Sequence, residues 1–219
     1  MIRRTVLLVV AFIFFINLPV FASVEDVFDN YANYQIRYPR INLEDKNVSY
    51  AINQNIYQFI SKFKNSYKNG EFYNGRIDYK VAYENDEFLS LIFLEVKDWA
   101  DMIETGGDTY IYKHGFVYNK LTGNNVPLSY FVRLTRGDLK SCSKTRRYNC
   151  KGQKIDHGRL FTDRIPSDYY LLGNGEIALI FQYPELGGDW TDYYSLDIAP
   201  ATLRLSQLDI EYFNRKNKL

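Results

Sequence analysis

The residue types best equipped for chemistry gather in two stretches and in two isolated histidines. Asp189, Trp190 and Asp192, followed by Tyr193 and Tyr194, place two carboxylates around one indole and two phenols. Such rings stack on a sugar or fill a partner's pocket, and the acids beside them accept hydrogen bonds. The same acids, with Asp98 and Asp101, are also the carboxylates that could pair for acid–base catalysis. From Lys140 to Lys154 there are six cations, among them Lys144, Arg146 and Arg147, and no carboxylate. A basic loop of that kind suits an anionic polymer or protein. His114 stands in an aromatic stretch and His157 in a polar one, so a shared metal would need distant segments to converge. No zinc-type Cys/His spacing, no Gly-x-Ser-x-Gly elbow and no strand–glycine–helix phosphate loop occurs. No cofactor and no metal is implied.

Charge and composition narrow the classes further. The 219 residues carry 27 Lys+Arg against 26 Asp+Glu, a net charge of +1, which leaves no global field for holding nucleic acid by phosphate neutralisation. With 46% hydrophobic and 24% charged residues, the chain is neither disordered nor a linker.

Residues 1–22 read as a signal peptide. Arg3 and Arg4 precede an apolar run from Val6 to Val20, and Val20-Phe21-Ala22 offers small side chains for cleavage before Ser23. The alternative is an uncleaved anchor, for which the run is short and interrupted by Pro19. After cleavage no stretch approaches spanning length, and the expected location is periplasmic or extracellular. An oxidising compartment turns Cys142 and Cys150 into a local disulfide across a short loop, worth about 2–3 kcal/mol; without export they remain free thiols.

The elements that must position these residues show in the apolar spacing. Tyr34, Ile36 and Tyr38 alternate like a strand ending at Pro39. Val48, Ile52, Ile56, Phe59, Phe63 and Tyr67 then recur every three or four residues, the apolar face of an amphipathic helix over 43–68, opened by Asn42 or Asp45 and closed by Asn69-Gly70. Ile77 to Tyr83 and Phe88 to Val96 form a hairpin whose second strand is apolar on both faces and therefore central. Thr109 to Asn119 is another strand, and Pro127 to Val132 suits a short helix. Residues 135–160 lack apolar periodicity and read as a loop excursion. Gly173-Asn174-Gly175 turns a second hairpin, Tyr193 to Ile198 is a last strand, and the segment after Pro200 fits helix or strand.

Several of these pieces carry a resemblance. Tyr38-Pro39-Arg40-Ile41-Asn42, Ala51-Ile52-Asn53, Gly115 to Gly123 with Leu128 to Phe131, and Asp168 to Gly175 with Phe181 to Tyr183 resemble, in order, the extracytoplasmic domain shared by the RsiV anti-sigma factor and the PdaC peptidoglycan deacetylase. The resemblance implies an α+β domain at the cell envelope, which in RsiV senses and binds lysozyme. Where many relatives carry Gly-Gly-Ala-His, this chain has Gly106-Gly107-Asp108-Thr109, so no role of that histidine transfers. The deacetylase and sigma-binding parts are absent from the match. The expectation is a single α+β domain over 23–219, a long amphipathic helix on a mainly antiparallel sheet, serving as a non-catalytic binding module for a lysozyme-like protein or cell-wall glycan. A small envelope hydrolase using loop carboxylates is the competing class.

Overall fold

The computed structural model describes residues 22–98, 109–142, 147–148, 164–182, 197–198 and 200–218. The chain runs β1 (Ser23–Tyr31), β2 (Tyr34–Asn42), α1 (Lys46–Lys68), β3 (Asn74–Glu84), β4 (Phe88–Asp98), β5 (Thr109–Asn119), a 3₁₀ turn (Leu128–Tyr130), α2 (Arg136–Cys142), β6 (Arg147–Tyr148), β7 (Tyr169–Gly173), β8 (Glu176–Phe181), β9 (Asp197–Ile198), β10 (Ala201–Leu205) and α3 (Gln207–Lys216). The fold mixes helix and strand.

α1 begins where Asp45 accepts hydrogen bonds from the Asn47 and Val48 amides, satisfying two of the donors a helix start leaves open. It buries Val48, Ile52, Ile56, Ile60 and Phe63 against Ile36, Ile41, Ile77, Leu91 and Phe93. Each fully buried side chain of this size contributes about 1.5–3 kcal/mol. The helix ends at Lys68 with Asn69 as its cap, and Gly70 then takes φ +74°.

The strands form two sheets where the sequence suggests one. The larger has the order β1-β2-β3-β4-β5-β9 and the smaller β6-β10-β8-β7. Pairing is antiparallel except for β2 with β3 and β5 with β9. α1 covers one face of the larger sheet, and the smaller sheet packs on the other through Val117, Leu171, Leu179, Phe181 and Leu203. β4, buried on both faces over Phe88–Phe93, is the shared wall. The two sheets approach closely at Gly115, where a Cβ would lie 1.9 Å from the Tyr169 carbonyl oxygen. The buried Ser90 hydroxyl accepts from the Leu171 amide at 3.0 Å and fixes the register between sheets.

Three local expectations are corrected, and the segment after Pro200, which fits helix or strand, is resolved. β2 continues through Pro39, because the odd-numbered residues of β2 turn their main-chain groups away from β1: Ile41 exchanges hydrogen bonds with the Asn53 side chain at 2.8 Å in both directions. Pro39 shares that parity, so its missing N–H removes no bond of the β1–β2 ladder. The excursion at 135–160 contains α2, anchored by buried Leu139 and Asp138. Pro127 precedes a three-residue 3₁₀ turn and lies outside it. After Pro200 the chain is strand and then helix, the switch made by Ser206 and Asp209 in a reciprocal capping box. β1 has no counterpart in the sequence reading. Ala22, just ahead of it, is buried, and its amide donates to Glu84 at 2.5 Å.

Candidate functional site

The antiparallel register of β4 and β5 sets Phe93 opposite His114 and Glu95 opposite Tyr112, which makes Glu95 and His114 diagonal neighbours on the α1 face. Glu95 Oε2 lies 2.8 Å from His114 Nε2, and Oε1 lies 2.7 Å from Lys97 Nζ. Glu95 is 7% exposed. Burial pushes its carboxyl upward, but the hydrogen bonds and charges of His114 and Lys97 outweigh burial and hold it below the ordinary range. Phe59 of α1 packs edge-on against the imidazole at 4.9 Å between centroids. Lys97 lies over the Phe72, Tyr112 and Phe63 rings at 5.3, 5.7 and 5.9 Å.

The other imidazole nitrogen faces Asp168. His114 Nδ1 is 3.8 Å from Asp168 Oδ2, just ahead of β7. Asp168 accepts from Gln182 Nε2 at 3.3 Å, and the Gln182 amide also pairs with the Lys113 main chain, donating to its carbonyl at 2.7 Å and accepting from its N–H at 3.3 Å. Gln182 thereby occupies the edge of β5 as another strand would. Lys113 Nζ donates to the Tyr170 hydroxyl at 3.2 Å and overlies the same ring at 4.6 Å.

The chemistry open to this arrangement is orientation. An imidazole flanked by two carboxylates is fixed in direction whichever tautomer it takes, and both Glu95 oxygens are committed within the protein. Among the described residues no Ser, Thr or Cys is hydrogen-bonded to the ring, and no group of three His, Cys, Asp or Glu is arranged to hold a metal ion. A nucleophile–base pair is therefore missing from the described part of the cluster.

The residues singled out in the sequence fall elsewhere. Asp189, Trp190, Asp192, Tyr193 and Tyr194 lie outside the described residues, as do Lys144, Arg146, Cys150, Asp101 and His157. Arg147 is in β6, opposite Leu203 of β10. Cys142 ends α2, so the Cys142–Cys150 bridge also falls outside what is described. Asp98 accepts from the Thr109 hydroxyl at 2.7 Å, and its carbonyl accepts from the Tyr73 amide at 2.8 Å; Asp101, with which the sequence pairs it, lies outside the described residues. Among the described residues no helix is long and apolar enough to cross a membrane. Glu95 was legible only as a charge interrupting an apolar strand, and its pairing with His114 depends on a register the sequence does not display.

No family model matches the chain, and no curated protein matches it. Among solved structures the chain is similar to a member of the DUF3298 family from Bacteroides fragilis, with a TM-score of 0.48 and 8% identity over 89% of this chain and 94% of that one.

Proposed function

We propose that the chain is an exported, non-catalytic binding module of the cell envelope, related to the domain shared by RsiV and PdaC, with α1 as its amphipathic helix. Its partner in this reading is a lysozyme-like protein or a cell-wall glycan, with no role in nucleic-acid binding. The observation that carries the reading is the closed state of the Glu95–His114 cluster: the oxygens and nitrogens that would do acid–base work face partners within the chain. Binding then falls to Asp189, Trp190, Asp192, Tyr193 and Tyr194, a segment that follows Gln182, which is itself tied to β5. A basic ligand favours these acids over the cationic stretch with Lys144, Arg146 and Arg147.

The test incubates the exported protein separately with lysozyme and with peptidoglycan. Saturable binding without turnover is expected, and Trp190→Ala should speed dissociation with little change in salt dependence. Unchanged affinity after Trp190→Ala removes this surface. Consumption of glycan or ester at a rate that falls with Asp189→Asn or Asp192→Asn establishes the hydrolase instead. Mass spectrometry of the same material reads the processing site, expected before Ser23.

A further inference from the structure

Among the described residues the six-stranded sheet ends in β1, with no strand paired on its outer side. β1 pairs with β2 over nine residues without a bulge, from Ser23 opposite Asn42 to Tyr31 opposite Tyr34. Gly75 donates to the Asn33 carbonyl and Ile41 to Asn53, so the odd-numbered residues of β2 face away from β1 and the even-numbered ones face it. Their ladder partners are the odd-numbered residues of β1. By alternation, Val24, Asp26, Phe28 and Asn30 direct N–H and C=O outward, where no described strand receives them. Proteins usually blunt such an edge with proline, a bulge or charged side chains, lysine above all; β1 has no proline, bulge or lysine, and its only charges are three acids. It exposes large rings instead, Phe28 at 65% and Tyr31 at 63%.

Charge decides which strand fits. β1 carries Glu25, Asp26 and Asp29 and no cation of its own, but each acid has an internal partner: Asp26 receives Arg37 and the Tyr79 hydroxyl, Asp29 receives Lys64, and Glu25 lies 3.9 Å from Arg40. The edge is thus offset enough to approach a copy of itself, provided acids do not meet. In an antiparallel pair of identical strands an outward residue must oppose an outward residue, so the two-fold axis passes through a residue. Among registers that pair at least five residues, an axis at Glu25, Asp26 or Asp29 sets an acid against its own copy. An axis at Val27 sets Glu25 against Asp29 on both sides. Only an axis at Phe28 avoids every directly opposed acid pair, which is the destabilising arrangement; it sets Phe28 against Phe28, Val27 against Asp29, Asp26 against Asn30 and Glu25 against Tyr31.

We propose that β1 is an interface for a second copy of this chain, the two strands pairing antiparallel about a two-fold axis at Phe28 and joining two six-stranded sheets into one. The surface is independent of the ligand-binding reading.

Sedimentation equilibrium of the exported protein over a range of concentrations tests it. A monomer–dimer equilibrium is expected, and Phe28→Lys, which opposes two ammonium groups at the axis, should weaken it at least about tenfold, or 1.4 kcal/mol. Phe28 is exposed, so circular dichroism of that variant should match the parent, as should its melting midpoint at concentrations low enough for both to be monomeric. Phe28→Cys should cross-link on oxidation, because opposed residues of a hydrogen-bonded antiparallel pair have Cα atoms about 5.5 Å apart, within disulfide reach; peptide mapping should find the introduced thiol joined to its own counterpart in the second copy. A protein that stays monomeric at its highest soluble concentration overturns the proposal. So does a dimer indifferent to Phe28→Lys, or one that cross-links through Val27→Cys in preference to Phe28→Cys.

Discussion

Glu95 and Asp138 are both buried carboxylates, yet they are held by different means. Glu95 lies mid-strand, and its bonded partners Lys97 and His114 belong to the same β4–β5 ladder, so forming that ladder assembles the group. Asp138 lies in the first turn of α2 and draws on both local and remote partners. Thr135 donates its amide and hydroxyl at 2.8 and 2.7 Å, while Lys216 at 2.5 Å and Asn217 at 2.9 Å come from the end of α3. The first carboxylate orients a side chain on a sheet that already exists. The second ties the end of the described chain to its middle, so its loss should loosen α2 and α3 together.

The joint between the two sheets gives the largest expected effect. Gly115→Ala drives a methyl into the Tyr169 main chain, an atom that cannot swing away, and should cost about 4 kcal/mol or prevent folding, as read by urea denaturation. The larger sheet with α1 should be less affected than the smaller one if the two are separable, which hydrogen exchange would resolve as earlier opening of β7, β8 and β10.

Asp138→Ala comes next, at roughly 2–3 kcal/mol, since it strands buried donors; the half-exposed Lys216 recovers water and limits the loss. Glu95→Gln keeps the shape and one acceptor and should cost only about 1 kcal/mol, because Lys97 retains its ring contacts. An equal cost for the two substitutions would erase the contrast between a sheet-borne and a chain-tying carboxylate.

Acid sharpens the same contrast. Asp138 is held far below the ordinary carboxylate range: burial pushes it up, and the hydrogen bonds from Lys216, Thr135 and Asn217 more than reverse that. Glu95 is lowered less. A depressed folded value gives stability that is present above the unfolded pKa, about 4, and is lost as pH falls through the folded one. The urea midpoint should therefore drop on acidification, with Asp138→Asn removing more of the slope than Glu95→Gln. The smallest effect belongs to the start of α1, where Asp45→Ala should cost about 1 kcal/mol through two lost amide acceptors, visible as a small shift in midpoint.

Legibility follows the range of the interactions involved. The start of α1 at Asp45, the hairpin of β3 and β4 and the turn between β7 and β8 rest on neighbours in sequence. In that last turn Gly173, Asn174 and Gly175 all take positive φ, a conformation that glycine and asparagine tolerate best. α2 escaped notice because its one turn of apolar pattern, at Leu139, is too short to show a period, and its start depends on Thr135 and Asp138. β1 escaped because four of its nine residues are Glu, Asp or Asn, and its strand character comes from pairing with β2.

The candidate cluster divides in the same way. The sequence by itself determined that β4 would be buried on both faces and that β5 would be aromatic, since composition and alternation are properties of a single strand. That Glu95 meets His114, that Asp168 reaches the same ring around the edge of β5, and that the described strands part into two sheets pressed together at Gly115 were decided by tertiary structure. Register between strands is fixed by packing among segments tens of residues apart, and a shift of one residue would turn Glu95 to the opposite face while leaving every local pattern unchanged.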